Sequence, residues 1–349
     1  MRVDYIVVGL GLAGLAFCEQ LRKNNKSFVV FDHGPTSAST VASGLYNPIA
    51  LKRFVSAWKG HELMQFSIPF YRALEQTLDT SFLHPAPVLR KFFSAAEAND
   101  WQHACDSPVM ALYLEPDVLS NTNSGIDAPL GFGKLKGTGW VDCDVMLSAY
   151  RSFLSSSKLL IDEVFLYGRL ATSKPELIYN NIEAHSIVFA EGTGMLQNPW
   201  FSYLPLRHSK GELLVIHCPD LKENNILHSG IFIIPIGEDR YKVGATYDNY
   251  DHTALPTKAG RHSLEKRLQK ILCLPYKIID HLAGLRPTTP DRRPLVGTHP
   301  TDKRIAVLNG LGSRGVLQAP FAAKSIMDYM EKDKALPAEI DVSRYAPNL

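Results

Sequence analysis

Asp4-Tyr5-Ile6-Val7-Val8-Gly9-Leu10-Gly11-Leu12-Ala13-Gly14 is the stretch that decides the fold. Its first five residues form a short apolar, β-rich run of the kind that makes a buried parallel strand, and the run stops at three spaced glycines. Leu15 to Lys23 then reads as an amphipathic helix. After Asn24-Asn25-Lys26, the run Ser27-Phe28-Val29-Val30-Phe31-Asp32 reads as a second strand ending in an acid. Strand, glycines, helix, strand and acid make a complete βαβ unit. Its three glycines have three tasks: a tight turn, close backbone approach to a pyrophosphate, and close packing of helix on strand. Leu12 and Ala13 open the helix, whose amino terminus faces the phosphates. Asp32 follows Gly9 by 23 positions, close to the roughly 20 expected of a carboxylate that accepts ribose hydroxyl hydrogen bonds. His33 adjoins it. A dinucleotide site at Gly9, Gly11, Leu12, Ala13, Gly14, Asp32 and His33 is therefore expected, and a carboxylate at position 32 disfavours a 2′-phosphate.

With 349 residues and 45% hydrophobic content, the chain can bury a large core and form two domains. A formal net charge of +2 gives no long-range field that by itself implies nucleic acid or membrane. The five cysteines are far apart and include no Cys-x-x-Cys pair, so neither a disulfide framework nor a metal site is expected, and a reducing cytoplasm fits best. The apolar stretch from Tyr5 to Leu21 carries the three glycines and is not read as a signal peptide or anchor. No other segment reaches the roughly 18 uninterrupted apolar residues of a spanning helix.

Beyond the opening unit, a second small-residue loop, Ala42-Ser43-Gly44, invites another close approach to a cofactor. Trp58 to Leu78 reads as a helix, and Phe82 to Leu114 as short strands and polar loops. Gly139-Trp140-Val141-Asp142 leads into a helix from Val145 to Leu154, followed by a strand near Leu159 to Phe165. Ser186-Ile187-Val188-Phe189-Ala190 returns to buried-strand language and ends at Glu191-Gly192. From Pro205 to Tyr247 the text is that of β-hairpins, with a helix from Ser263 to Leu272 after it. Gly284-Leu285-Arg286-Pro287 and Pro290-Asp291 follow. Then Asn309-Gly310-Leu311-Gly312-Ser313-Arg314-Gly315 opens the closing helix from Val316 to Met330.

Taken in order, these segments resemble the D-amino acid oxidase-like FAD oxidoreductases, the family of glycine oxidase and monomeric sarcosine oxidase. The loop from Asn309 to Gly315 with Ala319-Pro320 most resembles the FAD domain of the bifunctional enzyme that modifies wobble uridine in tRNA, although a methyltransferase half is absent. The resemblance implies an α/β fold, α+β overall: a Rossmann-like FAD-binding domain (1–52, 139–200 and 281–349) and a discontinuous antiparallel-sheet substrate domain (53–138 and 201–280). It implies oxidation of the C–N bond of an amino acid or secondary amine, with hydride passing to flavin N5 and oxygen as acceptor. Removal of a carboxymethyl group from an aminomethyl uridine of tRNA, and a flavin-binding protein without turnover, are the alternatives it leaves open. After Gly284 there is no cysteine for a flavin thioether, so noncovalent FAD is expected.

The resemblance also assigns roles to residues. Arg286, in the Gly-Leu-Arg-Pro motif, is expected to bind a substrate carboxylate through two parallel hydrogen bonds. The competing role for Arg286 is an ion pair with Asp291 or the capping of backbone carbonyls. Arg314 is expected at substrate or flavin. Gly310, Gly312, Ser313, Gly315 and Val316 are expected to aim backbone N–H groups at the flavin. Phe232 stands where glycine oxidase-like sequences place a tyrosine, which removes one hydrogen bond to substrate. His208 is a candidate base. The basic clusters Lys52-Arg53, Arg207-His208-Ser209-Lys210 and Arg292-Arg293 are read as solvated faces rather than one nucleic-acid surface.

Overall fold

A computed structural model describes residues 1–34 and 38–345; residues 35–37 and 346–349, inside the expected nucleotide segments, lie outside it. The strand Arg2–Val8 is the middle of a parallel sheet, flanked by Phe28–Phe31 and Ile182–Phe189. Leu160–Ile161 extends one edge and Ile305–Asn309 pairs beyond Ile182–Phe189, both parallel. Their central residues, Tyr5 to Val8, Phe28 to Phe31 and Ile187 to Phe189, are apolar and buried because both faces are covered there. One face packs under the helices Leu12–Lys23, Cys143–Ser156 and Gly315–Lys332. The other packs against Phe165, Tyr179 and Phe201.

All these parallel strands run the same way, so Gly9, Asp32, Glu191 and Gly310 emerge together at their carboxyl ends, where open α/β sheets bind ligands. Gly14 lets the first helix approach: a Cβ there would stand 1.9 Å from the Gly9 carbonyl oxygen.

The second sheet has eight strands. Its order runs Lys277–Thr288, Arg207–His217, Arg240–Gly244, Phe232–Pro235, Ile226–His228, Val88–Lys91, Phe132–Leu135 and Leu114–Leu119. Every pair is antiparallel except Ile226–His228 with Val88–Lys91, which is parallel.

Several elements differ from the sequence reading. The region from Phe82 to Leu114 contains the helix Ala95–Cys105, nucleated by Ser94, whose side chain accepts from the Glu97 N–H. The strand expected over Leu159 to Phe165 shrinks to two residues. The helix expected from Ser263 starts earlier, at Lys258, because Thr257 caps it through the Gly260 N–H (2.9 Å).

Packing also cuts across the expected domain boundaries. The helix Gly60–Leu78 lies in a segment expected in the substrate domain, yet it buries Leu63, Met64, Phe70, Tyr71 and Leu74 in the nucleotide-domain core. The boundary expected at 281 falls inside the strand Lys277–Thr288, which pairs along its length with Arg207–His217 in the second sheet.

The placement of that long helix has a local cause. Pro320 sits inside the closing helix and has no N–H for the Val316 carbonyl. The Tyr71 hydroxyl donates to that carbonyl instead (2.7 Å), and Ser67 Oγ donates to the Leu317 carbonyl (2.7 Å).

Candidate active site

A cavity of about 580 Å³ runs between the two sheets, within the size range of cofactor and small-molecule sites. Of the expected residues, Gly9, Gly11, Leu12, Ala13, Asp32, Ala42, Ser43, Gly44, Glu191 and Gly192 line it. So do Arg286, Gly312, Ser313, Arg314, Gly315 and Val316. Segments from both ends of the chain and from its middle therefore meet at one site.

Three expected residues sit elsewhere. Gly14 is a packing glycine below the loop, as its approach to Gly9 dictates. His33 lines no part of the cavity; its exposed ring lies 3.6 Å from Asp162, because the backbone turns outward after the strand ends at Phe31. Gly310 borders a neighbouring outer cavity instead. Its position is fixed by Asn309, which accepts from the Gly310 N–H (2.8 Å) and donates to the Gly192 carbonyl (2.9 Å), tying two cofactor loops together.

Asp32 is held in place from two sides. Its Oδ1 accepts from the Leu10 N–H (2.9 Å), and its Oδ2 pairs with Arg151, which also reaches Asp162 (2.9 Å). Arg151 lies on a helix with no local motif to mark it, so only the fold reveals its role. Glu191 borders the cavity, but its carboxylate accepts from the Tyr167 hydroxyl (2.6 Å) and Asn198 (2.8 Å); burial raises its pKa and these bonds oppose the rise.

Two helix amino termini face the cavity. The helix Leu12–Lys23 begins at Gly11 and the helix Gly315–Lys332 at Arg314; neither cap residue supplies a side-chain hydrogen bond and neither first turn holds an acid, although Ser39 Oγ accepts from the Leu12 N–H (3.3 Å). Orphan N–H groups and the positive end of each helix dipole are thereby left for a ligand. A pyrophosphate suits the first, and a cofactor ring that gains negative charge suits the second. The residues present thus fit FAD. The cysteines Cys18, Cys105, Cys143, Cys218 and Cys273 line no part of the cavity.

Arg286 and Arg314 stand where this cavity opens into the outer one. Arg286 donates only to backbone carbonyls, those of Lys210 (3.3 Å) and Thr246 (3.3 and 3.4 Å), and lies over the Tyr247 ring at 4.5 Å. Arg314 donates to the carbonyls of Asn47 (2.9 Å) and Ile49 (3.3 Å). Burial lowers the pKa of each guanidinium, and Arg292 lowers that of Arg314 further. Of the competing roles for Arg286, the capping of backbone carbonyls is present, whereas Asp291 does not pair with it and accepts from Arg344 Nε at 3.0 Å. Among the described residues, neither of these half-buried cations has a carboxylate partner, which favours an anionic group beside them.

The sequence reading did not single out Tyr247 or His228. Tyr247 borders both cavities. His228 lies on the inner wall with its ring 4.5 Å from Phe232 and its Nδ1 without a hydrogen-bond partner. Burial, then Arg90 and Arg267, push its pKa down to about 3, so it is neutral at ordinary pH. His208, the candidate base, faces the outer cavity beside His252.

Fold and site together define an oxidoreductase that holds a dinucleotide cofactor at the carboxyl ends of a parallel sheet. The sequence model of the DAO family, FAD dependent oxidoreductase, matches residues 4–329, and the chain belongs to that family. It is 25% identical to the glycine oxidase of Bacillus subtilis (strain 168), across 93% of this chain and 92% of the relative. It is also 24% identical to the tRNA 5-methylaminomethyl-2-thiouridine biosynthesis bifunctional protein MnmC of Legionella pneumophila, across 54% of this chain and 28% of that protein. The crystal structure of glycine oxidase from Geobacillus kaustophilus superposes with a TM-score of 0.77 at 19% identity, covering 99% of this chain and 98% of that one. FAD is the cofactor, and the protein is an FAD-dependent oxidoreductase enzyme. Among the described residues, no helix is long and apolar enough to cross a membrane.

Proposed function

We propose that this enzyme oxidises the C–N bond of a small amine that carries a carboxylate, an amino acid or an N-carboxymethyl amine, with oxygen as the final acceptor. The observation that carries this reading is the pair of half-buried guanidiniums, Arg286 and Arg314, without acidic partners at the cavity mouth. A carboxylate docked on Arg286 gives that charge a partner and fixes the neighbouring carbon by two parallel hydrogen bonds. FAD held by the glycine loops would supply the two-electron acceptor for a hydride from that carbon. The closing helix, with no acid in its first turn at Gly315, favours negative charge beside it. Phe232 and the neutral His228 add no charge to the cavity wall, and the cations Arg286 and Arg314 beside it disfavour a charged ammonium and favour the free amine. The imine product then hydrolyses in water.

The test is anaerobic mixing of FAD-loaded protein with glycine, sarcosine, proline and D-amino acids while following flavin bleaching near about 450 nm, the region expected of an oxidised flavin. At least one carboxylated amine should bleach it, air should restore it, and Arg286→Leu should raise KM strongly for that substrate. An unchanged KM and kcat in Arg286→Leu removes the arginine from the site.

A further inference from the structure

Of the basic clusters expected to be solvated faces, Lys52 lines the flavin cavity and Lys210 is buried against Asp251 (2.5 Å), but the arginines do not stay apart. Arg53, Arg207, His208, His252, Arg292 and Arg293 all line one outer cavity of about 1160 Å³. Arg286 and Arg314 close its floor, where it opens into the flavin cavity. No aspartate or glutamate is among its lining residues. In a chain with 35 acids against 37 lysines and arginines, that segregation concentrates positive charge at one place.

Among the described residues, Arg53, Arg207 and Arg292 form no ion pair, so their charges face the cavity unneutralised. Arg293 lies over the Trp58 ring at 4.8 Å and donates to the Asp291 carbonyl, which holds its guanidinium without cancelling its charge. His208 Nδ1 is sealed from solvent and has no hydrogen-bond partner. Tyr247 and Tyr250 also line this cavity and are 68% and 92% exposed, offering ring faces to a planar ligand.

We propose that the outer cavity binds a nucleoside phosphate, and that the substrate amine is the end of a group attached to it. Arginines are the side chains best matched to phosphate oxygens through parallel N–H donors. Exposed tyrosine rings stack nucleobases. The reacting amine reaches Arg286 and the flavin cavity while the phosphate stays outside; that arrangement rests on the function proposed above, but the phosphate site can be tested without turnover. The phosphate can belong to a mononucleotide or to an RNA backbone.

Binding of uridine monophosphate, uridine and a fluorescein-labelled, uridine-rich 12-nucleotide RNA to FAD-loaded protein at 50 mM NaCl separates these sources; uracil avoids mimicry of the adenosine half of FAD. Calorimetry on the first two and anisotropy on the third should show the monophosphate at least about tenfold tighter than uridine. The double variant Arg207→Ala/Arg292→Ala should lose that preference while retaining FAD, and Arg207→Lys/Arg292→Lys should keep part of it. RNA more than about tenfold tighter than the monophosphate selects the polymer; for RNA, losing two phosphate contacts should flatten the slope of log K on log salt by about 1.4. Equal binding selects the mononucleotide. Monophosphate and RNA no tighter than uridine, or an alanine variant that binds as wild type, overturns the proposal. Because the readout is binding, failure of the free amines to bleach the flavin would count against a free amino acid as substrate and leave this result standing.

Discussion

Gly211→Ala tests the placement of Arg286 without touching the arginine itself. Gly211 lies opposite Gly284 in the second sheet, and the Arg286 side chain folds across it. A Cβ at position 211 would stand 1.8 Å from Arg286 Nη2, 2.2 Å from Cζ and 2.4 Å from Nη1. Ordinary contact begins at about 3.5 Å, so the guanidinium must retreat by roughly 1.7 Å or more. The obstructing atoms are the far end of a flexible side chain, so the sheet itself should hold and FAD content should not change. The carboxylate's double hydrogen bond should not survive that shift. Hydrogen bonds to charged groups contribute about 1.5–3 kcal/mol, a loss of about 10- to 150-fold in kcat/KM, and a misplacement near 1 Å gives a similar figure of about 100-fold. Steady-state kinetics should show this loss with a carboxylated amine but little loss with an amine lacking the carboxylate. In the Arg286→Leu background, Gly211→Ala should add almost nothing. Full kcat/KM in Gly211→Ala, or an equal further loss in the Arg286→Leu background, refutes the reasoning.

Two other consequences concern stability. Tyr71→Phe removes the donor that serves the Val316 carbonyl in place of Pro320, leaving a buried acceptor unpaired at a cost of about 1–3 kcal/mol; calorimetry should show a lower Tm, and an unchanged Tm would mean the carbonyl finds another partner. His228 has a folded-state pKa near 3, depressed first by burial, against about 6.5 unfolded, so the unfolded chain binds the extra proton and stability falls as pH drops from 6.5 toward 3. Between pH 7.5 and 5.5 this amounts to about 1.4 kcal/mol, which denaturant titration should find in the wild type and miss in His228→Asn; parallel pH profiles would show that the histidine is hydrated.

The opening βαβ unit was legible because its signals are local: the spacing of Gly9, Gly11 and Gly14 and the acid at Asp32 are all set within one supersecondary unit. The closing loop was legible for the same reason, since Gly312 to Gly315 precede a helix directly. What escaped is what depends on packing between distant elements. The apolar stripe of Gly60–Leu78 announces a buried face but not which core it enters, and its partner there, the closing helix with the carbonyl freed by Pro320, lies far along the chain. Ser94 and Glu97 carry a helix-start signal, yet neighbouring apolar pairs such as Val88-Leu89 read as strand and mask it. Arg207, Arg292 and Arg53 are ordinary charged residues in sequence; only the fold reveals that they share a wall.

The hydroxyls of Tyr71 and Ser67 reach carbonyls 245 and 250 positions downstream. A ribosome making this protein therefore releases the early helix long before its partner exists, and the hydroxyl that replaces the missing proline donor waits for some 245 further residues before it finds its carbonyl.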